Sequence, residues 1–161
     1  EVLQVVGGEI PCPLCLIERV AMLGAALAPI LQLRRGWSPR HTGLGLLFAL
    51  FLLVVSVRQV LLDICPRPGH DYVGSAVLGL HMPVWSVVIA AGLIAAFALE
   101  LALFDPQALR AARPAPALAR AGLALAAWIV ALALANLAGT ILQCGLGQCH
   151  TTGYLLLPGA R

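Results

Sequence analysis

Residues 43–62 read GLGLLFALFLLVVSVRQVLL, a stretch in which Arg58 is the single charge. A bilayer core takes roughly 20 apolar residues to cross as a helix, so this stretch is long enough to span. Inside lipid every backbone N–H and C=O must be paired within its own segment, which selects helix over strand. Residues 14–33, 82–104 and 121–143 have the same character. The last carries no charge, the first carries Glu18 and Arg19 near one end, and the third carries Glu100. The whole chain is 61% hydrophobic and 11% charged, with a mean hydropathy of +0.96. A soluble domain of this length needs far more surface charge, so the bilayer is the expected solvent.

The expected fold class is therefore an all-α membrane protein forming one transmembrane domain over residues 1–161. Residues 1–13 are expected to hold the end of an earlier helix and an outer loop, and residues 144–161 an outer tail. Residues 1–10 are too short to span and begin with Glu rather than Met. A preceding span, five in all, is the expectation, with a cleaved signal peptide as the alternative.

Orientation follows from the loops. Arg34, Arg35 and Arg40 lie in one connection, and Arg110, Arg113 and Arg120 in another on the same side. The opposite side carries Arg67 and Arg161. The positive-inside rule makes the arginine-rich side cytoplasmic. Cys12, Cys15, Cys65, Cys144 and Cys149 then all fall at the outer ends of spans, where thiol–disulfide chemistry is at home. The formal charge of +3 is small and scattered, which argues against a nucleic-acid partner.

The chemistry concentrates in residues 11–19, PCPLCLIER. Pro13 suits the first turn of a helix, with Cys12 as its cap and within reach of the positive end of the helix dipole. Cys15 lies one turn on. Arg19 follows four residues later on the same face, placed to stabilise a thiolate or an anionic electron acceptor. Glu18 is placed to pair with an arginine or to cap polar groups nearby. A structural disulfide is the bland reading. A zinc site would want a second such cysteine pair, so no resident metal is expected.

A helix-start pattern of Pro-Cys-x-Leu-Cys-x-x-Glu-Arg resembles the disulfide bond formation protein B family, bacterial quinone-linked thiol oxidases. Residues 79–85, GLHMPVW, resemble that family's approach to its last helix, residues 56–59, SVRQ, its intervening helix, and Gln4 the end of its first. The resemblance runs over residues 1–100. It implies a four-helix transmembrane bundle of that type, here with one added helix. It further implies that Cys12 and Cys15 pass electrons to a membrane quinone (ubiquinone or menaquinone), with Arg19 helping to hold it. The implied setting is the bacterial inner membrane, cysteines facing the periplasm. The implied partner is a periplasmic thioredoxin-like thiol oxidant, reached through a second cysteine pair.

That second pair is where the pattern breaks. The outer loop before residue 82 has only Cys65, whereas the tail, residues 143–150, reads QCGLGQCH. Cys144 and Cys149 are candidates for the relocated shuttle pair, and Cys65 is a candidate to join either. A structural staple on a loop is the competing reading. Cys-x4-Cys-His is also a stretched haem-attachment pattern with His150 as ligand, and metal capture by the same three residues is a further reading.

Arg58 is expected to line the quinone pocket or to snorkel to the headgroups. His70 and His81 are candidate hydrogen-bond partners of a quinone carbonyl, against the plain reading of solvated loop histidines. Trp37, Trp85 and Tyr154 fit interfacial belts, and Asn136 and Thr140 read as polar glue between helices. Against the enzyme stand two other functions. One is a non-catalytic accessory subunit of a larger membrane complex, motivated by the lone loop cysteine and the added charge-free span. The other is a vitamin K type reductase running similar cysteines towards the ring.

Overall fold

The computed structural model describes residues 13–64, 76–104 and 114–145. Four helices account for nearly all of them: α1 (Pro13–Arg35), α2 (Pro39–Ile64), α3 (Met82–Leu103) and α4 (Pro116–Cys144). Each is long and apolar enough to cross a membrane, with mean hydropathy between 1.9 and 2.3 in the relevant windows. A proline sits in the first turn of each, as Pro13, Pro39, Pro83 and Pro116. Its fixed φ and missing N–H suit that position, where the amide has no intrahelical partner. Gly36 ends α1 at a φ of 87°, its N–H donating to the Gln32 carbonyl at 2.9 Å. That left-handed conformation favours glycine and reverses the chain towards Pro39.

The helices outrun the apolar stretches that predict them. α2 begins at Pro39 rather than 43, and α4 at Pro116 rather than 121. Hydropathy detects the part that lipid requires, whereas the helix continues to the proline that starts it. The added charge-free span of the expectation is α4, and among the described residues there are four long helices and no fifth. The fifth span rested on reading residues 1–10 as the end of another helix, and those residues lie outside the described ones.

A short antiparallel hairpin precedes α3, pairing β1 (Ala76–Val77) with β2 (Leu80–His81). Its turn residues, Leu78 and Gly79, both have positive φ, as a two-residue hairpin turn requires. Trp85 donates its indole N–H to the Val77 carbonyl at 3.0 Å, tying the hairpin to the first turn of α3. A residue expected only as an interfacial anchor thus also pins a loop.

α1 and α2 form the middle of the assembly, between α4 and α3. α1 packs along α2 on one side and α4 on the other, α2 packs along α3, and α1 meets α3 only slightly. The spanning window of α1 is 39% buried and that of α4 only 6%, so α4 flanks the bundle as an outer helix. Small residues make the close approaches: Ala21 packs with Leu52 and Ala90, and Ala28 with Ala49 and Phe97. In membranes such residues let helix backbones approach, because apolar burial itself gives little drive between helices. The opposite faces present Leu47, Val54, Leu61, Leu123 and Leu134, all exposed, as a lipid-facing surface.

At the end of the bundle opposite Cys15, Glu100 of α3 gathers donors from other elements. The Gln32 amide reaches it at 2.7 Å and the Thr42 hydroxyl at 3.2 Å, and the Trp37 indole N–H also donates to it. Gln32 in addition donates to Thr42 at 3.0 Å. One carboxyl therefore ties α1, the α1–α2 turn, α2 and α3 together. Glu100→Ala is expected to destabilise the bundle by about 2 kcal/mol, since hydrogen bonds to a carboxylate are among the stronger ones. Unfolding in mixed micelles measures this, and Glu100→Gln should recover at least half of the loss.

Candidate functional site

Cys15 sits in the first turn of α1 because Pro13 opens that helix. It is half-buried and engaged in a disulfide. From the neighbouring α2, Gln59 donates its side-chain amide to the Cys15 sulfur at 3.3 Å. Gln59 is itself buried, at 5% exposure. Ser56, one turn before Gln59, is fully buried, and its hydroxyl has no hydrogen-bond partner among the described residues. The face of α2 turned towards α1 is thus polar near Cys15.

Glu18 lies one turn beyond Cys15 and is 5% exposed. Ser86 of α3 donates to its carboxyl at 2.9 Å, a buried contact across the bundle. This brings the start of α3, which begins within residues 79–85, against α1. Arg19 is half-buried beside it and takes part in further polar interaction.

Arg58 and Gln59 are neighbours in sequence with opposite placements. Arg58 is exposed, on a side of α2 that also presents Val54 and Leu61, whereas Gln59 meets the cysteine. His81 precedes α3 as its N-terminal cap residue, half-buried and engaged in polar interaction. Cys12, Cys65, His70, Cys149 and His150 lie outside the described residues.

Cys144 ends α4, 4% exposed and in a disulfide. Leu16 and Thr140 line one crevice while Gly122 meets Leu33 and Arg34, so α4 runs antiparallel to α1. That direction brings Cys144 to the same end of the bundle as Cys15. Gln143 beside it is fully buried and polar-bonded. Among the described residues no cluster of His, Cys, Asp or Glu has the makings of a metal site.

Two residues escaped the sequence reading as site members. Gln59 appeared only within a motif, and Ser86 did not appear at all. A helical-face argument would have found the first: Ser56 and Gln59 are three apart and share a face, whereas Val54, Val57, Arg58 and Leu61 share the other. Nothing local marks Ser86, whose partner is 68 positions away.

Four helices apolar enough to span a membrane thus carry, at the start of α1, a disulfide-bonded cysteine with an amide on its sulfur and a buried carboxyl one turn on. Residues 2–71 match the family model of disulfide bond formation protein DsbB, the family that the cysteine motif resembles. The match includes all of α1 and α2 together with Cys12, Cys15 and Cys65, and it ends before residues 79–85, α3 and α4. No curated protein and no solved structure matches the chain.

Proposed function

We propose that this chain is a protein thiol:quinone oxidoreductase of the bacterial inner membrane. It reoxidises a periplasmic thioredoxin-like disulfide donor and passes the electrons from Cys12 and Cys15 to a membrane quinone. The observation that carries this reading is the disulfide-bonded Cys15 in the first turn of α1, with the Gln59 amide on its sulfur, inside the stretch that matches the family.

Each residue has a physical task. Gln59 holds the Cys15 sulfur with an N–H donor, which favours negative charge on that atom during thiol–disulfide exchange. Glu18 and Ser86 fix α1 against α3, so that the outer end of the bundle keeps its geometry. Arg19 offers a half-buried cation one turn below Cys15 to orient a polar ring. The buried Asn136 Oδ1, without a hydrogen-bond partner among the described residues, suits an occupant with oxygen atoms, so the residues fit a quinone. A bound quinone supplies a two-electron, two-proton acceptor. Cys12 and Cys15 lose two electrons and two protons in closing their disulfide, and the incoming dithiol restores them.

Cys144 is the shuttle candidate that the fold supports best, since it is in a disulfide at the same end of the bundle. Cys65 and Cys149 are the candidates to complete the exchange chain. His81 stands at the same approach to α3, and His70 retains its place as a candidate hydrogen-bonding residue. Arg58, exposed among apolar side chains, is a snorkelling cation in this scheme. The accessory-subunit reading keeps one supporting observation, the largely exposed surface of α4.

The direct test supplies purified protein with a reduced thioredoxin-like protein and quinone, and follows quinone absorbance. Turnover supports the oxidase, whereas stable co-purification with other subunits and no turnover supports the accessory role. Gln59→Leu is expected to lower kcat/KM about tenfold, the worth of one hydrogen bond to a charged atom. Arg58→Gln should stay within about twofold, as expected of a solvated surface cation. Equal losses in the two variants would exchange their roles.

A further inference from the structure

Between α1 and α4 lies a crevice of about 260 Å³, lined by Leu16, Ile17, Val20, Ala133, Asn136, Leu137 and Thr140. Its make-up is uneven. Leu16 and Asn136 are buried, while Ile17, Val20, Ala133 and Leu137 are exposed on the surface that the bilayer covers. The crevice therefore opens sideways, and its occupant arrives from the lipid.

Asn136 decides what that occupant is. It is 6% exposed, and its Oδ1 has no hydrogen-bond partner among the described residues. The Thr140 hydroxyl does not serve it, because it donates to the Asn136 backbone carbonyl at 2.8 Å. A lipid acyl chain would fill the space and leave that acceptor unmet, which buried polar groups avoid. A flat ring with oxygens on its edge fits instead. A side-chain amide has both an acceptor and two donors, so it serves a ring hydroxyl in the reduced state and a ring carbonyl in the oxidised one. The volume accommodates one substituted ring, with its tail left in the bilayer.

We propose that the α1–α4 crevice is the seat of the quinone ring in this chain, with Asn136 as its hydrogen-bonding residue. The inference rests on the quinone reading above for the identity of the occupant. Its content is specific to α4, a helix beyond the stretch that matches the family. The seat begins at Leu16, the neighbour of Cys15, and Cys144 stands one turn above Thr140 on the same helix. The outer helix thereby contributes a binding wall to the redox helix, whose own sequence has no polar residue among the lining positions.

The test is equilibrium binding of a short-chain 1,4-benzoquinone to the purified full chain in detergent, read by dialysis and by thermal shift. Asn136→Leu removes the amide, and Ala133→Phe fills the crevice without touching it. Both are expected to raise Kd roughly tenfold or more, through loss of a buried polar partner or of the space. Their melting temperatures without quinone report whether they fold. Gly92→Ala, on α3 with open space around its Cβ, should bind as the unmodified chain does. Unchanged binding in both α4 variants overturns the proposal, and so does absence of binding to the unmodified chain. Binding that needs Asn136 in a protein without thiol-oxidase turnover would sink the proposed function and leave the seat standing.

Discussion

Cys15→Ser is expected to abolish the proposed quinone-linked thiol oxidation, with turnover falling about a thousandfold or more, the scale of removing an essential nucleophile. The expectation follows from position. Cys15 is held in the first turn of α1, its sulfur takes an N–H from Gln59, and it is in a disulfide. Serine keeps the size and the hydrogen bond but can neither form a disulfide nor give up two electrons. The bundle is expected to remain folded, because the packing between α1 and α2 rests on residues further along the helices. Quinone absorbance with a reduced thioredoxin-like donor measures the rate, and helicity and melting temperature control for folding. A Cys15→Ser protein that turns over at full rate removes Cys12 and Cys15 from the centre of the chemistry.

Gly45→Leu is expected to produce the largest structural loss. A Cβ at Gly45 would lie 2.6 Å from the Ala28 Cβ and 2.6 Å from the Phe97 ring. Three helices meet there: α2 brings the glycine, α1 the alanine and α3 the ring. Ala28 has no side chain to swing away, so relief requires α1 and α2 to separate. Overpacking of this kind costs about 1–3 kcal/mol, and more where backbone must move. The strain also reaches the Glu100 cluster, because Phe97 lies one turn before Glu100 on α3. Gly92→Ala is the control, with open space around its Cβ. It is expected to be neutral or stabilising by up to about 1 kcal/mol through helix propensity. Unfolding midpoints of the two variants in mixed micelles decide the matter, and equal midpoints would show that the three-helix crossing is loose.

The difference between Arg58 and Gln59 illustrates how far local reading goes. A charged residue in a span attracts attention, and the sequence reading placed Arg58 among the quinone-pocket candidates. The fold turns it to the lipid-facing side and gives the cysteine to its neighbour. Charge near the end of a span is affordable by snorkelling, whereas an amide buried at 5% exposure needs a partner. Glu100 makes the same point at the other end. It was visible as the single charge of its span, but its donors come from Gln32, Trp37 and Thr42, which only the turn at Gly36 brings together.

The cysteine motif that leads into α1 remains the most informative feature of the chain. Local physics determined the existence and approximate limits of the four spans, because transfer into lipid depends on the apolar content of each segment alone. It also determined the helix start at Pro13 and the helix-start setting of Cys15, whereas the starts at Pro39 and Pro116 lie ahead of the apolar stretches. Only the tertiary structure decided that α1 and α2 lie in the middle, that α4 flanks α1, and that Gln59 meets Cys15 and Ser86 meets Glu18. Helix pairing depends on the shapes of two faces at once, on small residues such as Gly45 and Ala28 and on polar partners far apart in sequence. No single segment carries that information.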